Sequence, residues 1–158
     1  MFRAATLVFA ILALLAMPTL TRALDARPGW EVMATGKAFP ALVDDLKAAV
    51  KAHDMLVVTQ ASASAGAKGQ GITIPGNQVV GVYRNDYARR MLQASIASGI
   101  EAPIRFYVTE NADRTATLSY KTPTTVFSPY FDEDGDDLKA LAGELDGVFA
   151  AIAADAVK

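Results

Sequence analysis

The side chains best suited to chemistry are Arg105 and Tyr107, with Tyr83 and Arg84 as further candidates earlier in the chain. A guanidinium presents its N–H donors in a rigid planar fork, so an arginine beside a tyrosine hydroxyl can clamp an anion. Arg105 and Tyr107 alternate with apolar residues, which places both side chains on one face of a strand. A ligand-binding surface for an anion is therefore one interpretation of this pattern, and no catalytic residue is identified.

The single histidine and a pair of serines are weaker candidates for catalysis. His53 lies near the C-terminus of a predicted helix, where the helix dipole favours an imidazolium, and this indicates a structural or surface role. Ser62 and Ser64 lack the G-x-S-x-G context of a nucleophile elbow, and no second base is identifiable. We therefore expect both serines to be loop residues.

Two segments resemble ion-binding loops but fail the corresponding templates. Residues 132–137 supply acidic side chains at positions 1, 3 and 5 of a calcium loop, yet Gly135 falls at position 4 rather than 6, and Gly143 occupies position 12. An acidic first helical turn explains this cluster, with weak surface cation binding as the alternative. The glycine-rich segment around Lys68 does not match a phosphate-binding P-loop. We expect no metal site and no cofactor.

Two alternating segments predict a β-hairpin with one apolar face. The first strand starts at Pro103, the turn spans 110–114, and the second strand starts at Thr115. The apolar face carries Ile104, Phe106, Val108, Ala116, Leu118 and Tyr120, and the semi-polar face carries Arg105, Tyr107, Thr117 and Ser119. Three interpretations of the semi-polar face remain open: a solvated surface, a dimer interface and a shallow ligand site.

Three amphipathic helices are predicted. The first starts at Pro40 and runs for about 13 residues, and its apolar stripe comprises Leu42, Val43, Leu46, Ala49, Val50 and His53. The second spans 87–98, is capped by Asp86 and ends at Gly99, with Ala88, Leu92 and Ile96 on its apolar face. The last runs from Asp136 or Asp137 to about Ala154, with a stripe of Leu138, Leu141, Leu145, Val148, Phe149 and Ile152.

The remaining segments complete an α+β pattern. Strands are predicted at 30–35, ended by Gly36, at 55–59, expected to be mostly buried, and at 78–84. Residues 61–76 form a connection with a short helical turn around 63–68. The order predicts an α+β fold in which a mostly antiparallel sheet of four to five strands is covered on one face by two to three helices.

The region from Val79 to Phe127 resembles the bacterial and archaeal "domain of unknown function 302" family. The resemblance rests on an A-x-x-x-L helix, a strand of the form P-x-x-x-x-V-x-E and a second strand ending in Y-x-x-P. The matching residues are Ala88 and Leu92, Pro103 with Val108 and Glu110, and Tyr120 with Pro123. The resemblance extends over about 125 residues and implies a small α+β domain that dimerises and has no established activity.

The chain departs from the family pattern at three places. Asn85-Asp86 replaces the N-P that often opens the central helix, His53-Asp54 replaces a glycine before the second strand, and Thr59-Gln60 lacks the acidic and histidine residues found nearby in relatives. Sites that relatives have at these positions are therefore not transferred to this chain.

The first 23 residues are predicted to be a signal peptide. Arg3 precedes an unbroken apolar run of 14 residues, Ala4 to Met17, and cleavage is expected after Ala23 or Ala26. A retained membrane anchor is the alternative, but such a run spans only about 21 Å as a helix, against roughly 30 Å of hydrocarbon. A lipoprotein is excluded because the chain has no cysteine.

Residues 24–158 are predicted to form one periplasmic or secreted domain. Cleavage removes two arginines, so the 15 basic residues fall to 13 against 17 acidic ones, and the net charge moves from −2 to −4. This balance excludes nucleic acid as a partner, because its phosphates require clustered Lys and Arg. We expect a non-enzymatic module that forms a homodimer or binds a small ligand or periplasmic protein, without stable membrane insertion after cleavage. The alternative is an enzyme or anion-binding protein with a site around Arg105 and Tyr107.

Overall fold

A computed structural model describes residues 24–133 and 135–158, so the predicted signal peptide and Asp134 lie outside the described residues. The strands are β1 (Trp30–Ala38), β2 (Leu56–Ala61), β3 (Asn77–Tyr83), β4 (Ile104–Glu110) and β5 (Thr115–Lys121). The helices are α1 (Phe39–Ala52), α2 (Ala63–Gly69), α3 (Asn85–Ala94), α4 (Pro123–Phe127) and α5 (Gly135–Val157), with 3-10 turns at Ala97–Glu101 and Ser128–Tyr130.

The five strands form one antiparallel sheet in the order β1-β5-β4-β3-β2. Its central strand, β4, pairs with β5 in the predicted hairpin, where Tyr107 lies opposite Ser119 and Thr109 opposite Thr117. Arg114 adopts a left-handed conformation (φ 70°) in the connecting turn, which Asn111 closes by hydrogen bonding to the backbone carbonyl of Thr115. The predicted α+β class with a mostly antiparallel sheet is confirmed.

One face of the sheet is covered by α1, α3 and α5, and the core lies between these two layers. Phe149 of α5 stacks on Phe106 of β4 with ring centroids 4.7 Å apart, and Tyr120 of β5 meets Phe106 edge-on at 5.0 Å. Such pairs contribute about 0.5–1.5 kcal/mol each beyond the burial of their surface. The predicted stripes of α1 and α5 are buried here, namely Leu42, Val43, Leu46, Ala49, Val50, Leu138, Leu141, Leu145, Phe149 and Ile152.

The last helix runs three residues further than predicted and ends at Val157. Val148, at the margin of its apolar stripe, is only partly buried. Within residues 24–133 and 135–158, no helix combines the length and apolarity needed to cross a membrane.

The expectation that residues 55–59 form a mostly buried strand is wrong. Only Met55, which precedes β2, is buried, whereas Leu56 is 60% exposed and Val58 is 46% exposed. The reason is that β2 is the edge of the sheet and pairs only with β3. A short apolar run reports β-propensity but not whether another layer covers the strand.

The helix predicted at 87–98, observed as α3, is shorter than predicted, and the residues that it buries are different. It ends at Ala94 because Ser95 is extended, and the Ser95 hydroxyl accepts the backbone N–H of Ser98. Ala88 and Met91 are buried, whereas Leu92 is 45% exposed and Ile96 lies beyond the helix at 83% exposure. Residue 99, the expected helix stop, belongs instead to the following 3-10 turn.

Two predicted boundaries also differ. Asp86 lies within the first turn of α3 rather than capping it, and Arg84 occupies the N-cap position. Gly36 does not end β1, because the strand continues to Ala38 through a register shift between Ala34 and Ala38. A β-bulge of this kind lets a strand pass an irregular residue without terminating.

Gly81, near the end of β3, lies at a position where no side chain fits. A Cβ atom built there would lie 2.1 Å from Thr59 Oγ1 and 2.8 Å from the Pro103 ring. The cyclic Pro103 side chain cannot turn away, so an added methyl group would strain the contact between β3, β2 and the start of β4.

We expect Gly81→Ala to lower the free energy of unfolding by about 1–3 kcal/mol through overpacking. The matched control is Gly143→Ala, on the exposed side of α5, where an added Cβ meets no atom within 4 Å. That control should stabilise the protein by about 0.5–1 kcal/mol because alanine favours a helix over glycine. Urea unfolding measures the change in the free energy of unfolding for each variant. A change of the same sign and size in both would contradict the packing argument.

Candidate functional site

The candidate site lies on the sheet face opposite the helices. Strand register places Tyr107 between Val79 of β3 and Ser119 of β5, and places Arg105 opposite Gly81. Directly opposed residues of an antiparallel pair share a face. Arg105 and Tyr107 therefore lie together on this open face, as the alternation in the sequence predicts.

A cavity of about 600 Å³ lies over the open face. Pockets that bind small molecules typically measure roughly 300–1,000 Å³. The cavity is lined by Trp30, Ala61, Ala63, Asn77, Val79, Ile104, Arg105, Phe106, Tyr107, Tyr120, Lys121 and Val126. Its size is therefore that of a site for a small organic molecule.

Among the residues that the structure describes, two cations and no carboxylate line this cavity. Arg105 and Lys121 are exposed to solvent, and neither has a carboxylate partner among residues 24–133 and 135–158. Lys121 Nζ lies 5.7 Å from the centroid of the Trp30 ring, within cation–π distance. Unneutralised cations beside low-dielectric walls create a positive local potential, so the cavity favours an anion even though the whole chain is acidic.

The Thr117 and Ser119 hydroxyls of the open face form hydrogen bonds within the β4–β5 hairpin. Thr117 and Ser119 are each 1% exposed. Thr117 Oγ1 donates a hydrogen bond to Asn111 Oδ1 at 3.0 Å, and Ser119 Oγ donates to the Tyr107 carbonyl at 3.4 Å. The middle of this face is therefore not a simple solvated surface, and these hydroxyls are not free to bind a ligand.

A wall of the cavity is built by the segment that leads into α2. Asn77 Oδ1 accepts the backbone N–H of Ala63 at 2.9 Å, and the Asn77 backbone N–H donates to Ser64 Oγ at 3.2 Å. Ser62 caps α2 by accepting the N–H of Ala65. The two serines thus have structural roles, and they hold Ala61 and Ala63 at the edge of the cavity.

The other two candidate residues, Tyr83 and Arg84, do not line this cavity. They border a separate crevice of about 30 Å³ beside Tyr87. Arg84 bonds Asp86 through both Nε (2.7 Å) and Nη2 (3.0 Å) and lies 4.1 Å from the Tyr87 ring centroid. The Asp86 hydrogen bond raises the pKa of Arg84, and that same bond lowers the pKa of Asp86. The charge of Arg84 is therefore already neutralised.

His53 also has a structural partner. Its Nε2 lies 2.8 Å from Asp155 Oδ2, which connects the end of α1 to the end of α5. Among the residues that the structure describes, no group of three or more His, Cys, Asp or Glu side chains could hold a metal ion. Part of the acidic segment weighed as a calcium loop lies outside that set, because it includes Asp134.

Sequence reasoning missed Trp30, Lys121 and Asn77 as lining residues. Lys121 continues the alternation of Thr117 and Ser119 by one more step, so the pattern of β5 could have identified it. Trp30 reaches the cavity because β1 pairs with β5 and lies opposite Lys121. That pairing joins residues about 90 positions apart, which no local periodicity reveals.

The architecture defines a class of small α+β proteins with a helix layer on one sheet face and a ligand-sized cavity on the other. The chain belongs to the family described as "Domain of unknown function DUF302", whose model matches residues 30–152.

A similar solved structure is the crystal structure of the uncharacterized conserved protein DUF302 from Bacillus stearothermophilus. It shares 18% sequence identity with this chain, has a TM-score of 0.71, and covers 82% of this chain and 98% of its own. This similarity establishes the shared fold. No curated protein matches the chain.

Burial raises the pKa of the Tyr120 hydroxyl from its ordinary value of 10.0 to about 12, and the nearby charges of Glu31 and Asp146 act in the same direction. Burial disfavours the phenolate because the low-dielectric core solvates charge poorly. The folded protein consequently keeps this proton over a range of pH in which the unfolded chain releases it.

We expect the free energy of unfolding to fall as the pH rises from 10 to about 12, because only the unfolded state loses the Tyr120 proton there. The contribution of the protonated Tyr120 hydroxyl to the free energy of unfolding is fully present below pH 10. Tyr120→Phe should therefore decline less steeply above pH 10 and match the wild-type slope below it. Urea unfolding at a series of pH values tests this, and identical slopes above pH 10 would refute the assignment.

Proposed function

We propose that this protein is an exported, non-enzymatic module that binds a small organic anion in the cavity of the open sheet face. The observation that carries the proposal is that Arg105 and Lys121 both line a cavity of about 600 Å³ to which the described part of the chain contributes no carboxylate. Arg105 offers a planar fork of donors and Lys121 offers a mobile point charge.

Several other basic residues are paired with acids, whereas neither cavity cation has a carboxylate partner among residues 24–133 and 135–158. Arg84 bonds Asp86, Arg90 bonds Glu144 through both nitrogens at 2.7 Å, and Lys37 bonds Asp45. These pairs connect neighbouring segments of the fold. Arg105 and Lys121 have no such role among the described residues, which supports a role in binding a charge from outside the chain.

The same charges argue against the open face as the interface of a homodimer. A two-fold axis brings the same patch of both copies into one interface, so Arg105 and Lys121 would lie there together with the same two cations of the second copy. Since no acidic side chain of residues 24–133 or 135–158 lines the cavity, the interface would bury like charges without compensation. A bound anion removes this conflict, and for that reason we propose a ligand site rather than a dimer surface here.

Binding is favoured over catalysis by the types of residue that line the cavity. The described lining contains no histidine, aspartate or glutamate that could act as a general base. Tyr120 lies opposite Phe106 in the register and its ring packs against Phe106 and Phe149 in the core, so its hydroxyl is on the other side of the sheet from the bound anion. The cavity offers positive charge and apolar walls, which suffice for recognition.

Arg105→Gln is expected to weaken the binding of benzoate about tenfold or more, because a hydrogen bond to a charged group contributes about 1.5–3 kcal/mol. Lys121→Gln should weaken it to a smaller extent. Isothermal titration calorimetry at low salt measures both effects. The matched control is Arg89→Gln, which removes an exposed charge from α3 in the helix layer and should leave affinity unchanged.

Two results would contradict the proposal. The first is equal benzoate affinity for the wild type and for both cavity variants. The second is a homodimer in light scattering that dissociates in the charge-reversal variant Arg105→Glu but persists in Arg89→Glu, because such a dimer would use the open face itself.

Export is part of the proposal and rests on the N-terminal pattern of a charged residue, an apolar run and a small-x-small junction. We expect the protein purified from its native host to begin at Leu24 or Arg27, after cleavage at Ala23 or Ala26. Intact-mass measurement of the purified protein tests this. A mass that includes Met1 to Ala23 would favour the retained membrane anchor instead.

A further inference from the structure

We infer that the ligand is an anionic amphiphile, a single negatively charged head group on an apolar body. This inference rests on the proposed function and adds the chemistry of the rest of the ligand. The reason is that the cavity separates its charges from its apolar walls along the direction of the strands.

The cationic end of the cavity is fixed by the β4–β5 pairing. Phe106 lies opposite Tyr120 in this antiparallel pair, so Arg105, one residue before Phe106, and Lys121, one residue after Tyr120, lie side by side at the same level of the sheet. Trp30 of β1 lies opposite Lys121 and extends this level with an aromatic ring. A carboxylate or phosphate head bound here would contact both cations.

The apolar part begins one side-chain repeat further along the sheet. Tyr107 lies opposite Val79, and Val79 lies opposite Ala61 at the edge of the sheet. Successive residues on one face of a strand are about 7 Å apart. Ala63, at the start of α2, adds a further small apolar side chain to this wall.

The separation of about 7 Å matches a head group followed by a chain or ring of several carbon atoms. An inorganic anion would fill the cationic end and leave the apolar part of a cavity of about 600 Å³ in contact with water. Filling that part with hydrocarbon removes apolar surface from water, which stabilises the complex with every methylene added.

Trp30 provides an internal reporter because it is the only tryptophan of the chain and lines the cavity. Titration of the purified protein with acetate, butanoate, hexanoate and octanoate should change its fluorescence at progressively lower concentrations. We expect the affinity to rise about two- to fourfold per added methylene. 1-Octanol and octylamine, which lack the negative head, should bind at least tenfold more weakly than octanoate.

Matched variants locate the apolar body. Val79→Thr keeps the shape of the side chain but replaces a methyl group with a hydroxyl inside the cavity, and it should weaken octanoate binding about two- to fourfold while leaving acetate binding unchanged. Val32→Thr is the control, since Val32 lies opposite Ser119 on the same face but does not line the cavity. Ala61→Ser, on the exposed edge strand, is a second test that does not depend on the packing of β3.

Octyl phosphate in place of octanoate distinguishes a phosphate head from a carboxylate head, and chain-length dependence with either head supports the inference. Acetate binding as tightly as octanoate would overturn the amphiphile while leaving anion binding intact. Octanol binding as tightly as octanoate, with no effect of Arg105→Gln on either, would overturn both proposals. An unchanged octanoate affinity in both Val79→Thr and Ala61→Ser would overturn the assigned position of the apolar body.

Discussion

The stacking of Phe149 on Phe106 is the contact on which the rest of the structure depends. It attaches α5 to β4, the central strand, and places the Phe106 side chain on the face that the helices cover. Side chains alternate along a strand, so Arg105 and Tyr107 must then point to the opposite face. A shift of one residue would bury the guanidinium and expose the aromatic ring, so the core contact also fixes the site.

Helices and strands with a strong hydrophobic periodicity could be predicted from the sequence. Which of their surfaces are covered by other elements could not. The hairpin and α5 were predicted well because their apolar residues repeat at regular intervals over many positions. The predicted burial of β2 and of Leu92 failed for a different reason. Strand β2 is apolar in composition but forms a sheet edge, and Leu92 is apolar but faces away from the core, and both facts depend on tertiary arrangement.

The candidate site could be predicted only in part for the same reason. Arg105 and Tyr107 share one strand, so their common face follows from local alternation. Trp30 and Lys121 join them through the pairing of β1 with β5, which links residues far apart in the sequence. Tyr83 and Arg84 precede α3 directly, and Arg84 is neutralised by Asp86 two residues later, an interaction that residue types alone did not reveal.

The two sides of the cavity differ in how firmly the fold holds them. The floor consists of central strands that are hydrogen-bonded on both edges and anchored by the aromatic core beneath. The wall at α2 is attached mainly through Asn77, Ser62 and Ser64, and α2 contributes no buried residue to the core. Segments with few buried contacts open at lower free energy than the core does. The position of the charged head is consequently set by the rigid sheet, whereas the size of the apolar body is limited by the less firmly held wall.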